Sequence, residues 1–353
     1  MKIKALHANN FMIFNNLSIE LSPNINVISG ENSTGKTALI KMLYSCLKGY
    51  ANAYNLKGNI TKDDLERSLV SKFQGVFRPD NDSMGRLVNR RQGNNNADIS
   101  IALSNGSEIK IGFSRKSSKH IEMLNASSAD IGKISPVYIP PKEIISATEN
   151  FGSLYDDYHI AFEETYYDLT RLLEKPLRKG PNTIEQNEVM SSFEKIVNGN
   201  IIQKDKKFYL KVKGSGEFEM GLVSEGYRKL ATIMYLILSG SLSKESVLFW
   251  DEPETNMNPK MIKPMVDALI TLANMGVQIF ITTHDYFIQQ CFNMEALYGK
   301  NRKLNYNFIS LYRDEDGEIK AENSDDLNGI KHNSIIEEFD ELYNREQRLI
   351  DEN

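Results

Sequence analysis

The stretch GENSTGKTALIKML, residues 30–43, follows directly on the apolar run INVIS, residues 25–29. A strand that runs into a glycine-rich turn and then a helix points to a parallel α/β sheet. Gly30 to Thr37 satisfies G-x-x-x-x-G-K-T without a mismatch, in the strand-and-helix setting that the pattern needs. Backbone N–H groups over Gly30, Asn32, Ser33, Thr34, Gly35, Lys36, Thr37 and Ala38, with the helix N-terminus, are expected to face phosphates. Lys36 then reaches the outer phosphates and the Thr37 hydroxyl binds Mg2+.

Outward from this loop, the 353-residue chain exceeds the usual single-domain size, and its net charge of −5 argues against a protein coated in nucleic acid by charge alone. Basic clusters at Arg86, Arg90 and Arg91 and at Lys204, Lys206 and Lys207 read first as solvated faces. Cys46 and Cys291, far apart in apolar helical contexts, are expected to be reduced buried thiols. The N-terminus lacks the apolar core of a signal peptide, and no run approaches the roughly 18 apolar residues that span a bilayer, so the expected place is the cytoplasm.

KIKALHA, NLSIEL and INVIS read as strands, and a helix is expected from residue 36 to about 47. A polar helix follows near residues 62–72, then an Asn-rich loop at 93–96 and a hairpin formed by ADISIALS and EIKIGFS. PVYIPP is a short strand closed by prolines. Residues 152–198, broken by KGPNT, read as two antiparallel helices; KKFYLKVKG returns to strand periodicity, and the tail is a charged amphipathic helix. The expected division is a nucleotide-binding domain over 1–150 plus 199–329, a helical insertion over 151–198 and a C-terminal helix over 330–353.

Downstream, SVLFWDEPETNMNP places Asp251 and Glu252 at the end of an apolar strand. Adjacent acids there can be a helix cap with a first-turn charge. Beside a phosphate loop they suit metal binding through water for Asp251 and a general base for Glu252. VQIFITTHDYF ends another buried strand at His284, on the sheet edge where ligands bind in this topology. In MGLVSEGYRKLATIMYLIL, Ser224 can cap a long apolar helix.

Taken together, VSEGY resembles the signature motif of ABC-type ATPases, and the phosphate loop, signature turn, Asp-Glu pair, ETNMNP segment and His284 occur in that family's order, with roughly 25 to 35 residues between the last landmarks. The chain resembles the SMC, RecF and OLD-like branch. That resemblance implies an ABC ATPase head: a mostly parallel central sheet, an antiparallel β lobe and a short helical insertion. It also implies ATP with Mg2+ as cofactors and a catalytic set of Glu252, His284 and Lys36. Ser224 and Gly226 would touch the γ-phosphate of a nucleotide bound by another copy, so that two copies meet head to tail or in a higher assembly. Three features depart from the branch: Met12 stands where an arginine is usual, no glutamine occupies the Q-loop position near residues 139–143, and the insertion is too short for a long coiled-coil arm.

No nuclease constellation follows the core, and Asp325 and Asp326 read as a solvated turn. The chemistry expected is ATP hydrolysis. A similarity to the stand-alone ATPases of anti-phage systems such as PARIS and Septu implies control of a separately encoded effector such as a nuclease. Two alternatives stand beside it: a repair-type ATPase that clamps DNA through the basic clusters, and a nucleotide-gated scaffold that hardly turns ATP over.

Overall fold

Two kinds of strand follow from two kinds of pattern. In β1 (Ile3–Phe11), β2 (Phe14–Glu20), β4 (Asn96–Leu103) and β5 (Glu108–Ser114), apolar residues recur at about every second position, burying one face. With β6 (Glu122–Met123) they form an antiparallel sheet in the order β2-β1-β4-β5-β6. Every residue of β3 (Ile25–Gly30), β11 (Ser246–Asp251) and β12 (Gln278–Thr282) is buried, the mark of strands covered on both faces. These three pair in parallel with β7 (Ser135–Ile139) and β13 (Tyr306–Arg313), and β14 (Ile319–Ser324) closes one edge antiparallel. The resulting order is β14-β13-β3-β12-β11-β7.

The computed structural model describes residues 1–56, 60–91, 93, 95–124, 132–158, 160–299 and 303–351; of the Asn-rich loop, Asn94 lies outside the described residues. Two hydrophobic layers sandwich the central sheet. Phe249 and Phe280 face the layer shared with α1 (Lys36–Leu56) and α2 (Lys62–Phe77). Leu248, Trp250, Ile279 and Ile281 face the layer built by α6 (Glu225–Leu238), α7 (Pro259–Asn274) and α8 (Tyr286–Tyr298). Helix α1 runs well past the expected end near residue 47 because Tyr50, Ala51 and Ala53 continue its buried face.

The segment read as two antiparallel helices contains three: α3 (Phe151–Tyr158), α4 (Glu164–Leu173) and α5 (Ile184–Val197). Aromatic packing folds the first back on the second, with Tyr155 stacked on Tyr167 at 4.7 Å and Phe162 edge-on to Phe151 at 5.4 Å. Helix α4 packs on α2 and β7, whereas α5, started by a Thr183–Gln186 capping box, packs on α6 and α7. Leu169, Leu173, Val189 and Phe193 join the same core as Trp250. The strand expected at KKFYLKVKG is β9 (Lys207–Val212), the middle of a three-stranded sheet whose edges, β8 (Gly199–Lys204) and β10 (Gly216–Glu219), the sequence pattern does not mark.

The C-terminal helix is α9 (Ser334–Asp351), and none of its residues is buried. Of the cysteines, Cys46 is buried as expected and both are free, but Cys291 is only half-buried. Asp326 caps a short 3-10 turn, its carboxylate accepting from the Asn328 and Gly329 N–H groups. Among the described residues no helix is long and apolar enough to cross a membrane.

Candidate nucleotide site

The phosphate loop needs glycine at two places. Gly30 has φ +142° with the Leu311 carbonyl where a side chain would be, and Gly35 has φ +96° with Phe14 and Ile13 at 2.6 and 2.7 Å from any added Cβ. Between them Ser33 also takes a left-handed backbone. Lys36, only 5 % exposed, lies along this turn, and its ammonium donates to the carbonyls of Gly30 at 2.9 Å and Glu31 at 2.7 Å. Burial pushes its pKa down to about 8, against the pull of Glu252 and Asp251. Arg313, at the end of β13, donates to the Ser33 carbonyl at 3.0 Å and braces the loop from outside.

Strand β12 lies between β3 and β11, so the carboxyl ends of all three meet. Asp251 is fully buried there and accepts from three hydroxyls: Thr37 at 3.0 Å and Thr282 on Oδ1, and Tyr138 at 3.0 Å on Oδ2. Burial raises its pKa even so. Glu252 has a positive φ of 46°, and its N–H is held by the carbonyl and hydroxyl of Thr282. His284 Nε2 stands 3.7 Å from the Glu252 carboxylate. Burial, then the neighbouring Lys36 ammonium, lowers the imidazole pKa, which leaves the ring neutral at pH 7.

Asn32, Ser33, Gly35, Lys36, Thr37, Ala38, Glu252 and His284 line one cavity of about 490 Å3. Gly30, Thr34 and Asp251 are buried and do not line it. Met12 lines the cavity too, presenting an apolar thioether where the resemblance leads one to look for an arginine. Ser224 and Gly226 lie outside it, at the start of α6. The Ser224 side chain makes no capping bond, so the helix-cap alternative for it is not realised. At the Q-loop position, Glu143 is engaged by Arg228 of α6 at 2.8 Å.

Several residues of the site carry no signal in the sequence that would have found them. Thr282 and Tyr138 sit inside strands, where nothing in the pattern separates them from core residues. Glu254 accepts from the Thr283 hydroxyl at 2.6 Å and the His284 N–H at 3.0 Å, fixing the turn that carries the imidazole. Lys229, 1 % exposed, donates to the carbonyls of Thr255 at 2.8 Å, Glu252 at 3.3 Å and Pro253 at 3.4 Å, tying the signature helix to the acidic loop. A second cavity, of about 700 Å3, is shared by Glu31, Asn32 and His284 with Glu337, Glu338 and Glu341 of α9. The basic clusters are partly neutralised: Arg86 pairs with Asp80, Arg91 with Glu318, Lys204 with Glu217 and Lys207 with Glu149.

The fold is that of SMC head domains. An SMC head bound to the C-winged-helix domain of ScpA superposes with a TM-score of 0.54 at 13% identity, over 92% of this chain and 98% of that one. The head from Pyrococcus furiosus with an extended coiled coil gives 0.53 at 11%, over 92% and 96%. By sequence, the DNA replication and repair protein RecF of Clostridium perfringens strain SM101 is 38% identical over 80 residues, which is 23% of this chain and 20% of the relative. RecF of Clostridium botulinum strain Loch Maree is 34% identical over 80 residues, 23% of this chain and 22% of the relative. The match thus spans about a fifth of those relatives' length. Residues 25–288 match the family described as "AAA domain, putative AbiEii toxin, Type IV TA system", and the chain belongs to that family.

Proposed function

We propose that this protein binds Mg-ATP at the cavity above β3, β11 and β12 and hydrolyses it between two copies of itself, as an assembly switch for a separately encoded effector. The observation that carries this reading is the buried Asp251, bonded to Thr37 and flanked by Glu252 and His284 on one sheet edge. Thr37 and Asp251 offer the hard oxygen donors that Mg2+ prefers, and the glycine positions leave the loop backbone open to phosphates. Mg2+, held by Thr37 and through water by Asp251, would neutralise charge on the phosphates.

The chain's own residues do the remaining work. The Lys36 ammonium, now on loop carbonyls, turns to the outer phosphates. Glu252 takes a proton from the attacking water, and His284, neutral and beside it, orients that water. Ser224 and Gly226, outside their own cavity, close over that of a second copy. Helix α9 borders the phosphate loop and exposes Phe339, Leu342, Tyr343, Leu349 and Ile350, an apolar stripe suited to passing the nucleotide state to a partner. A role in anti-phage defence rests on the resemblance of the motifs to the stand-alone ATPases of such systems.

Steady-state hydrolysis tests this directly. Glu252→Gln is expected to lower kcat by about a hundredfold or more while ATP binding persists. Unchanged turnover in that variant would remove Glu252 as the base, and an inactive wild type that still binds ATP would leave the nucleotide-gated scaffold. The RecF similarity favours one further reading, a DNA-binding repair ATPase. Salt-sensitive binding to duplex DNA that is lost on neutralising Arg90 and Arg91 would support it.

A further inference from the structure

The cavity contains one carboxylate that neither motif nor resemblance placed there. Glu163 comes from the helical insertion, at the N-cap of α4, with an extended backbone and no capping bond from its side chain. It lines the same cavity as Thr37, Lys36 and Glu252. Its Oε1 accepts from Lys41 at 2.6 Å, and Lys41, one helical turn beyond Thr37, lines the cavity as well.

Glu163 is delivered there by a rigid support. On α4, Glu164 and Asp168 accept from the buried Lys72 ammonium of α2 at 2.6 and 2.8 Å, and the Tyr44 phenol of α1 donates to Asp168 at 2.6 Å. Tyr166 hydrogen-bonds the backbone of Lys142, at the Q-loop position itself. The acid at the Q-loop position, Glu143, does not line the cavity; its side chain is only 9 % exposed and is held by Arg228. Among the described residues no three His, Cys, Asp or Glu side chains converge to hold a metal unaided, so a cation in this cavity needs the oxygens of phosphate.

We propose that Glu163 is an oxygen ligand of the metal in this site, supplied by the insertion in place of a Q-loop side chain, and that it exchanges its Lys41 partner for the cation when metal and nucleotide load. Lys41 is then released to the phosphates. This rests on the nucleotide reading above.

The test is binding of a fluorescent ATP analogue to the full chain, in EDTA and over a Mg2+ titration. Glu163→Ala is expected to raise the Mg2+ concentration at half-maximal tightening about tenfold, whereas affinity in EDTA does not fall, because that variant leaves Lys41 free for the phosphates. Glu163→Gln, which keeps an oxygen but loses the charge, is expected to fall between this variant and wild type. Lys41→Met is expected to weaken binding both with and without Mg2+. Superimposable Mg2+ curves for wild type and Glu163→Ala, or identical behaviour of Glu163→Ala and Lys41→Met in both conditions, would overturn the proposal. A wild type that fails to bind the analogue at all would overturn the nucleotide reading and the proposal with it.

Discussion

The carboxyl edge of the central sheet and the C-terminal helix lie side by side around one cavity, yet they are built on opposite terms. At the sheet edge Asp251, Thr282 and Thr283 are fully buried and their polar groups are paired within the chain. Along α9 no residue is buried, and Phe339 is 52 % and Leu342 59 % exposed. An interior with low dielectric makes each pairing at the edge costly to remove. A helix that gains almost nothing from burial contributes little to the fold, so its apolar stripe is better explained by what it meets than by what it supports.

The sharpest way to break this contrast is to truncate one aromatic on each side. Trp250→Ala, in the core beneath the acidic pair, should cost about 3–5 kcal/mol. Phe339→Ala on α9 should stay within about 0.5 kcal/mol. Urea denaturation measures both, and comparable losses would mean that α9 is a packed part of the core.

Next in size is Tyr138→Phe, which leaves one oxygen of the buried Asp251 without its donor. A loss of about 1–2 kcal/mol is expected, read in the same experiment. Deleting residues 334–353 should change stability by less than about 1 kcal/mol, because only contacts such as the 4.7 Å packing of Tyr286 against Phe339 disappear. A large drop in melting temperature would refute that.

A pH dependence is expected at Lys36. Its folded pKa of about 8 lies below the ordinary 10.5, so between these values the unfolded chain binds more protons than the folded one. Lys36 therefore makes stability rise with pH across that window. Its cost is fully present below about pH 8. Nucleotide affinity should run the other way and fall as the ammonium is lost above pH 8. Comparing Lys36→Met with wild type at pH 7.5 and 9.5 checks both signs, and parallel curves would show that Lys36 does not titrate there.

Legibility in the sequence divides along a similar line. β3, β11 and β12 are continuous apolar runs, and their ends carry the loop, Asp251 and His284, so the edge can be assembled from local patterns alone. The insertion cannot. A two-helix reading of it fails at residues 160–163, where the packing of Tyr155 on Tyr167 and of Phe162 on Phe151 turns the chain, a preference that no helical period encodes.

The strand-loop-helix core, the order of its motifs and the residues at its strand ends can be read along the chain, because glycine placement, burial period and charged termini are local properties. It takes the packed molecule to show that Tyr138 and Thr282 hold Asp251, that Glu163 and Lys41 enter the cavity, that Glu318 pairs with Arg91 and that α9 flanks the phosphate loop. Those pairings join residues separated by tens to hundreds of positions. Which polar group is left facing which is settled by how the layers pack, and one-dimensional spacing carries no record of it.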